Sequence, residues 1–340
     1  MKQPLLQPWA LPSFLIALIS LLLISCSNYL SAPLVAHSPA LVELTAIDLD
    51  PKNPQEKEFG RLAVLNAYEL RSKDPRFGGL SGLAIAADSR LYAVSDAGYW
   101  VSAQMILDSE GKLLDLTEWI IEPILSTTGV PVRSPLHDAE ALARGPDGSF
   151  MVAFEKVHRI WRYPPPPLTF RSLPVSVPVP AEAAKAPSNG GVEGLAMLPD
   201  GRLLALTEEF HNSDGSYKGW LIDGERFFEV SYLPREGFRA TDCAALSNGD
   251  VIVLERRYVP LGILSARLTL VRAETIQPGS ILRGDELIKL EYPLEVDNFE
   301  GLAVQEDPRR GAIIYLVSDD NYHPIQRTLL FQFRLNQSDK

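Results

Sequence analysis

Apolar and polar positions along this chain fall into short strand-length runs broken by Asp-Gly and Asn-Gly turns, and one hairpin recurs. Its fullest copy is residues 189–210, NGGVEGLAMLPDGRLLALTEEF, where apolar runs at 194–198 and 203–206 flank Pro199-Asp200-Gly201. Apolar runs on either side of an Asp-Gly pair are a strong short-range hairpin signal. Glu193 and Glu208 stand equally far from the turn, so antiparallel pairing predicts both carboxylates at one rim of a sheet. Further copies are 81–96 (SGLAIAADSRLYAVSD), 140–155 (EALARGPDGSFMVAFE), 242–255 (DCAALSNGDVIVLE) and 300–319 (EGLAVQEDPRRGAIIYLVSD). The first copy has Ser81 in place of an acid. The fourth is one residue shorter on each arm, with Asp242 and Glu255 symmetric about Asn248-Gly249.

After each of the first four acidic hairpins there are two more strand-like runs, or room for them; after the last there is one, at 328–335. Two spare runs, 41–49 and 61–70, precede the first copy. This is the arithmetic of a β-propeller closed by N-terminal strands joining the last blade, an arrangement that leaves no exposed sheet edge within the ring. The expectation is an all-β protein: one propeller domain over residues 41–340, with five blades counted and the 41–70 region a candidate to complete a sixth. The Pro-rich passage 164–188 excludes central strands and predicts a surface loop with one edge strand.

The net charge of −11 argues against nucleic acid or an anionic membrane surface as the main partner. Residues 14–24 form an apolar run too short to span a bilayer comfortably, behind the single positive charge of Lys2. The run ends in Leu23-Ile24-Ser25-Cys26, which resembles the lipobox of bacterial lipoproteins. That resemblance implies a signal peptide over 1–25, cleavage before Cys26, lipidation of its thiol, and a tether over 26–40. Ser27 rather than Asp after the cysteine favours the outer membrane. The expected location is the cell envelope, with membrane contact through the lipid anchor alone, and the domain is expected to be a monomer. Cys243 is then the single remaining thiol; within an apolar run it reads as buried and inert.

If each acidic hairpin is the inner pair of a blade, one rim gathers Asp96, Glu140, Glu155, Glu193, Glu208, Asp242, Glu255, Glu300 and Asp319, with Asp138, Asp297 and Asp320 beside them. Crowded carboxylates raise one another's pKa, so protons, Lys or Arg, or a metal must offset the repulsion. All-oxygen ligands converging from several loops suit Ca²⁺, and Asn189 and Asn298 add amide oxygens. The candidate metal ligands are Asp96, Glu140, Glu155, Glu193, Glu208, Asp242, Glu300 and Asp319. Any one of these acids is explained as simply by a strand end or by pairing with Lys156, Arg239 or Arg256; recurrence at one hairpin position is what points to a site. Glu140, Glu193, Glu208 and Glu300 are the candidate general bases, with His137 as a further acid or base and His323 near another rim segment. Arg239, Arg256 and Arg257 flank the fourth copy, where they would hold an anionic substrate or stand as ordinary exposed arginines. No G-x-S-x-G elbow, P-loop or H-E-x-x-H motif occurs.

Phe77-Gly78-Gly79-Leu80-Ser81-Gly82-Leu83 with Ser95-Asp96, Asp138-Ala139-Glu140-Ala141-Leu142 with Glu155, residues 189–196, and Asn298-Phe299-Glu300-Gly301-Leu302-Ala303 with residues 318–321 and 326–328 form an ordered set. The set resembles the phytase-like domain family described as "esterase-like activity of phytase". The resemblance implies a β-propeller rich in recurring acids that hydrolyses phosphoric esters. The fourth copy departs from it, with Asp242-Cys243-Ala244-Ala245 in place of Glu-Gly-Leu-Ala, which makes Asp242 the weakest member. The expected activity is a Ca²⁺-dependent hydrolysis of a small-molecule phosphoric ester at the channel mouth. Two alternatives stand beside it. One is a metal-dependent lactonase or carboxylic-ester hydrolase, similar to paraoxonase- and gluconolactonase-like propellers. The other is a non-catalytic, lipid-tethered binding propeller with structural Ca²⁺.

Overall fold

The computed structural model describes residues 41–259 and 263–336. The expected signal peptide, Cys26 and the tether to residue 40 lie outside the described residues. The strands form five antiparallel sheets, one per acidic hairpin. Blade 1 runs through Leu80–Ile85, Arg90–Ser95, Tyr99–Leu107 and Leu113–Pro123. Blade 2 comprises Ala139–Arg144, Phe150–Phe154, Arg159–Tyr163 and the short edge strand Val175–Val177, the one strand of the Pro-rich passage. Blade 3 comprises Val192–Met197, Leu203–His211, Tyr217–Asp223 and Arg226–Tyr232, and borrows Ile281–Leu282 as a parallel fifth strand. Blade 4 is Arg239–Ala245, Val251–Val259, Ile263–Val271 and Asp285–Leu290.

Blade 5 corrects the sixth-blade expectation. Its C-terminal strands Phe299–Asp307, Gly311–Ser318 and Thr328–Leu335 are completed by Leu62–Ser72, which pairs antiparallel from Thr328↔Leu70 to Leu335↔Leu62, and then by Val42–Ala46. The N-terminal strands are the outer strands of the last blade, as closure predicts, so the ring holds five. Two short 3₁₀ helices, Ala181–Lys185 and Ala273–Thr275, are the only helices among the described residues, and neither is long enough to cross a membrane.

The inner hairpins form where the sequence asks for them. In blades 1–4 Asp88, Asp147, Asp200 and Asn248 each accept the N–H of the residue two positions on, the turn chemistry of Asx residues. The next residue takes a positive φ, at Gly148, Gly201 and Gly249 and, without a glycine, at Ser89 (φ 61). Apolar residues on the strand faces pack between blades, and the core is five clusters, one at each seam of the ring. Trp100, Phe150, Phe154 and Tyr163, for example, fill the seam of blades 1 and 2, and Phe299, Phe331 and Phe333 that of blades 4 and 5. Burial of each such ring contributes roughly 1.5–3 kcal/mol, so the ring is held by its seams. Cys243 is buried in the seam of blades 3 and 4, as an inert thiol should be.

Candidate metal and substrate site

All five inner strands carry the same irregularity near their N-terminal ends. Pairing skips one residue, a β-bulge, at Ser81, Glu140, Glu193, Thr241 and Glu300. A bulge re-aims the extra side chain, and here that happens at one height on every blade. The second strand delivers a second position, Asp96, Glu155, Glu208, Arg256 and Asp319, each fifteen residues after its bulge except in blade 5, whose turn is longer. The residue two before the bulge supplies a third: Gly79, Asp138, Gly191, Arg239 and Asn298. Backbone pairing fixes these rings, since Asp96, Glu155, Glu208 and Asp319 donate their N–H to the carbonyls of Gly79, Asp138, Gly191 and Asn298.

This register relocates the fourth copy. The equivalents of the acids in blade 4 are Thr241 and Arg256, not Asp242 and Glu255. Asp242 lies one residue inward of the bulge, where the other blades have Gly82, Ala141, Gly194 and Gly301 at the tight meeting of inner strands. It is fully buried, accepts the N–H of Cys243 (2.8 Å) and of Leu302 (2.7 Å), and does not join the rim acids. Burial raises its pKa well above the usual carboxylate range. Glu255 points into blade 4, paired with Arg267 (2.5 Å) and accepting a hydrogen bond from the Tyr232 hydroxyl. The signal that finds Thr241 and Arg256 is the fifteen-residue separation kept by the first three copies; symmetry about the turn misses it.

Rim geometry brings the other candidates together. One oxygen from each of Asp138, Glu140 and Glu155 lies within 4.8 Å of the others. Asp138 also holds Lys156 Nζ at 2.6 Å and has His137 Nδ1 at 4.0 Å. Glu155 Oε1 accepts the N–H of Gly190 (2.6 Å) and of Gly191. Both glycines are required, because a Cβ on Gly190 would meet the Glu209 side chain at 2.4 Å and one on Gly191 the His158 ring at 2.5 Å. The Glu193 carboxyl hydrogen-bonds Glu155. Asp96 packs so closely over Gly79 that a Cβ there would lie 2.1 Å from Oδ1. That same Oδ1 is buried with no hydrogen-bond partner. His137 Nδ1–H donates to the Asp96 backbone carbonyl at 2.5 Å, which leaves Nε2 as the ring's acceptor nitrogen.

Across the ring the acids are compensated. Arg256 donates to Glu208 Oε1 (2.8 Å), to Asn298 Oδ1 (2.5 Å) and to Glu300. Burial works against its charge, and the carboxylates of Glu300, Glu208 and Glu193 overcome that and raise its pKa. Asp320 ties blade 5 to blade 1 by accepting the Gly79 N–H (3.0 Å), and Asp319 accepts the Asn321 N–H within its own loop (2.6 Å). The loop between them and blade 5's next strand places Asn321 and Tyr322 at positive φ, a local strain that the Asp contacts hold in place.

Burial and crowding push the rim carboxyls toward their protonated forms. Burial, then the charges of Asp138 and Glu300, pushes the Asp96 carboxyl up to about 6. Burial pushes Glu155 up to about 7 against the pull of the Gly190 and Gly191 N–H groups, and pushes Asp319 up to about 9 with Glu300 adding to it. Glu140 and Glu193 rise well above the usual range, from burial first and neighbouring carboxylates second; Glu300 rises for burial despite Arg256. An unpartnered buried oxygen on Asp96 beside three convergent carboxylates is an all-oxygen donor set, which fits a hard cation such as Ca²⁺.

Beyond Arg256 the rim opens into a cavity of about 740 Å³, lined by Arg239, Arg256, Arg257, Tyr258, Leu264, Asn298, Glu300, His323, Ile325 and Gln326 among others. His323 therefore faces this cavity rather than the acid trio.

The fold and mouth define a five-bladed propeller with an acid-rich channel entrance, polarised between blades 2 and 4. The chain belongs to the phytase-like family described as "Esterase-like activity of phytase", whose model matches residues 75–322. A comparison with the curated proteins finds no match. Among solved structures, the chain is similar to a protein named as a gluconolactonase (TM-score 0.45, 13% identity, covering 90% of this chain and 92% of that one). It is also similar to the PQQ-bound aldose sugar dehydrogenase of Streptomyces coelicolor (0.44, 14%, 87% and 99%) and to the calcium-binding protein regucalcin of Agrobacterium tumefaciens (0.40, 11%, 80% and 81%). Likenesses this distant carry no argument about activity.

Proposed function

We propose that the protein is a metal-dependent hydrolase of phosphoric esters working at this mouth. The observation that carries the reading is the division of the rim: Asp138, Glu140 and Glu155, offset only in part by Lys156, beside the orphaned oxygen of Asp96, opposite an arginine set in an acid's place. Asp96, Asp138, Glu140 and Glu155 would hold the Ca²⁺, which when bound supplies positive charge to polarise an ester oxygen. Arg256, aimed by Glu208 and Glu300, presents guanidinium N–H groups to the anionic part of the substrate. That assignment moves Glu208 and Glu300 from candidate bases to positioning residues. Glu193, whose pKa is raised well above the usual carboxylate range by burial and by the carboxylates of Glu208, Glu155 and Glu140, is the candidate to give a proton to a leaving oxygen. His137 Nε2 is the remaining group that can accept one.

A second reading has its own support. Acids outnumber cations at the rim, which disfavours a multiply charged phosphate and favours a neutral lactone or carboxylic ester. Purified protein, with and without chelator, assayed on aryl phosphate, aryl phosphodiester, aryl acetate and lactone separates the readings. Chelator-sensitive turnover of the phosphates, lost about 10²-fold or more in Glu193→Gln, is the expected result. Turnover of the neutral esters alone supports the second reading. A Ca²⁺-dependent gain in thermal stability without turnover of any of them identifies a binding propeller. We also propose that Cys26 carries a lipid; full-length protein should partition into detergent phase, and Cys26→Ser should not.

A further inference from the structure

We infer that the cavity over blades 4 and 5 is a binding site for the apolar arm of an organic anion, so that the substrate is an amphiphilic anionic ester rather than a small polar phosphate. This deepens the reading above and rests on it for the word substrate, though not for binding. Three observations meet there. The cavity shares Glu208, Arg256 and Glu300 with the rim, so a molecule seated in it reaches the mouth without leaving the protein. Its wall carries apolar groups that a water-filled polar pocket has no use for: Ile325, 81% exposed, Tyr258, 69% exposed, and Leu264. These come from separate blades, Ile325 from the loop after Asp319 and the other two from the long blade 4 hairpin. They flank the cavity from two sides.

Its third feature is a loosely held cation. Arg257 lines the cavity with its nearest carboxylates at 3.9 Å (Glu236) and 3.8 Å (Glu291), too long for the short charge-assisted bonds made by Arg256. One N–H reaches the Glu236 backbone carbonyl at 3.4 Å, its Nε is buried without a partner, and its guanidinium lies over the Phe238 ring at 4.7 Å. An arginine stacked on a ring and short of close acceptors is preorganised for an incoming anion. Arg257 and Arg256 then take the charged group, and Tyr258, Leu264 and Ile325 cover the arm.

Binding of methylphosphonate and phenylphosphonate to the full chain in Ca²⁺, measured by calorimetry, tests this without requiring turnover. Phenylphosphonate should bind about tenfold tighter or better. Ile325→Ser, at a position exposed enough to fold unchanged, should erase that difference while leaving the methylphosphonate Kd alone, and Tyr258→Ser should do the same in part. Arg257→Met should weaken both ligands several-fold. Equal affinity for the two phosphonates in the wild type, no binding of either, or loss of both ligands equally in Ile325→Ser overturns the inference. Preferential phenylphosphonate binding in a protein that hydrolyses no ester leaves the inference standing and removes the proposed reaction instead.

Discussion

Blade 2 places Asp138, Glu140 and Glu155 at the three rim positions where blade 4 places Arg239, Thr241 and Arg256. The backbones are alike: both have the bulge, the Asx turn and the same strand order. The side chains are opposite in charge. Blade 2 gathers carboxylates closely enough to converge on one cation, with Lys156 as their partial offset. Blade 4 sends Arg256 across its seams to hold Glu208 of blade 3 and Glu300 of blade 5. A ring of identical modules has no direction of its own; replacing the acids in a single blade gives the mouth a cationic side and an anionic side. Under the proposed function, that polarity would let one surface hold a metal and an anion together.

Removing the arginine should have the largest effect on this division. Arg256→Met leaves Glu208 and Glu300 buried without their partner, and breaking such a pair costs about 3–5 kcal/mol. At about 2–4 °C per kcal/mol for a chain of this size, Tm in chelator should fall by roughly 10 °C. Added Ca²⁺ should recover part of the loss, because a second cation can enter where the guanidinium was. An unchanged Tm in chelator would mean that blade 4 does not compensate the ring at all.

A smaller effect comes from pH. With no cation present, folded Asp96, Glu155 and Asp319 keep protons to about pH 6, 7 and 9, whereas in the unfolded chain they lose them near 3.8 to 4.5. Between those limits the folded state binds more protons than the unfolded one, so stability falls as pH rises. In chelator Tm should drop by several degrees from pH 5 to pH 8, and Ca²⁺ should flatten or reverse the drop. A chelator profile flat over that range would show that the carboxylates are not crowded.

Much of this was legible in the sequence, for a reason that also explains the failures. Asp-Gly and Asn-Gly turns between apolar runs specify hairpins locally, and the missing last strand specifies closure, so the propeller and its blade 5 seam could be read from the chain. The rim acids of blades 1, 2, 3 and 5 could be read because they recur. Blade 4 defeats the symmetry argument because an acid stands one residue inside each true rim position, and the turn is as symmetric about Asp242 and Glu255 as about Thr241 and Arg256. The fifteen-residue separation of the first three copies selects Thr241 and Arg256, but its cause is the bulge, which depends on how inner strands meet: Gly82, Gly194 and Gly301 are small because a neighbouring strand presses on them. The cavity was hidden for a different cause. It joins Tyr258 and Leu264 to Ile325, residues some sixty positions apart that no hairpin pattern relates.

Asp242 gives the smallest effect and the most direct check of that register. Its carboxyl lies inward of the rim, accepting the N–H of Cys243 and of Leu302 from the next blade. Asn can replace one of those acceptors but turns an N–H donor toward the other, a loss of about 1–2 kcal/mol. Asp242→Asn should therefore lower Tm by a few degrees, in chelator and in Ca²⁺ alike, leaving the Ca²⁺-induced gain in Tm as large as in the wild type. Glu140→Gln, by contrast, should keep or raise Tm in chelator, because it removes a carboxyl whose ionisation burial and its neighbours oppose, and should lose most of the gain. If the two variants exchange these behaviours, Asp242 is a ligand and the bulge at Thr241 does not mark the rim.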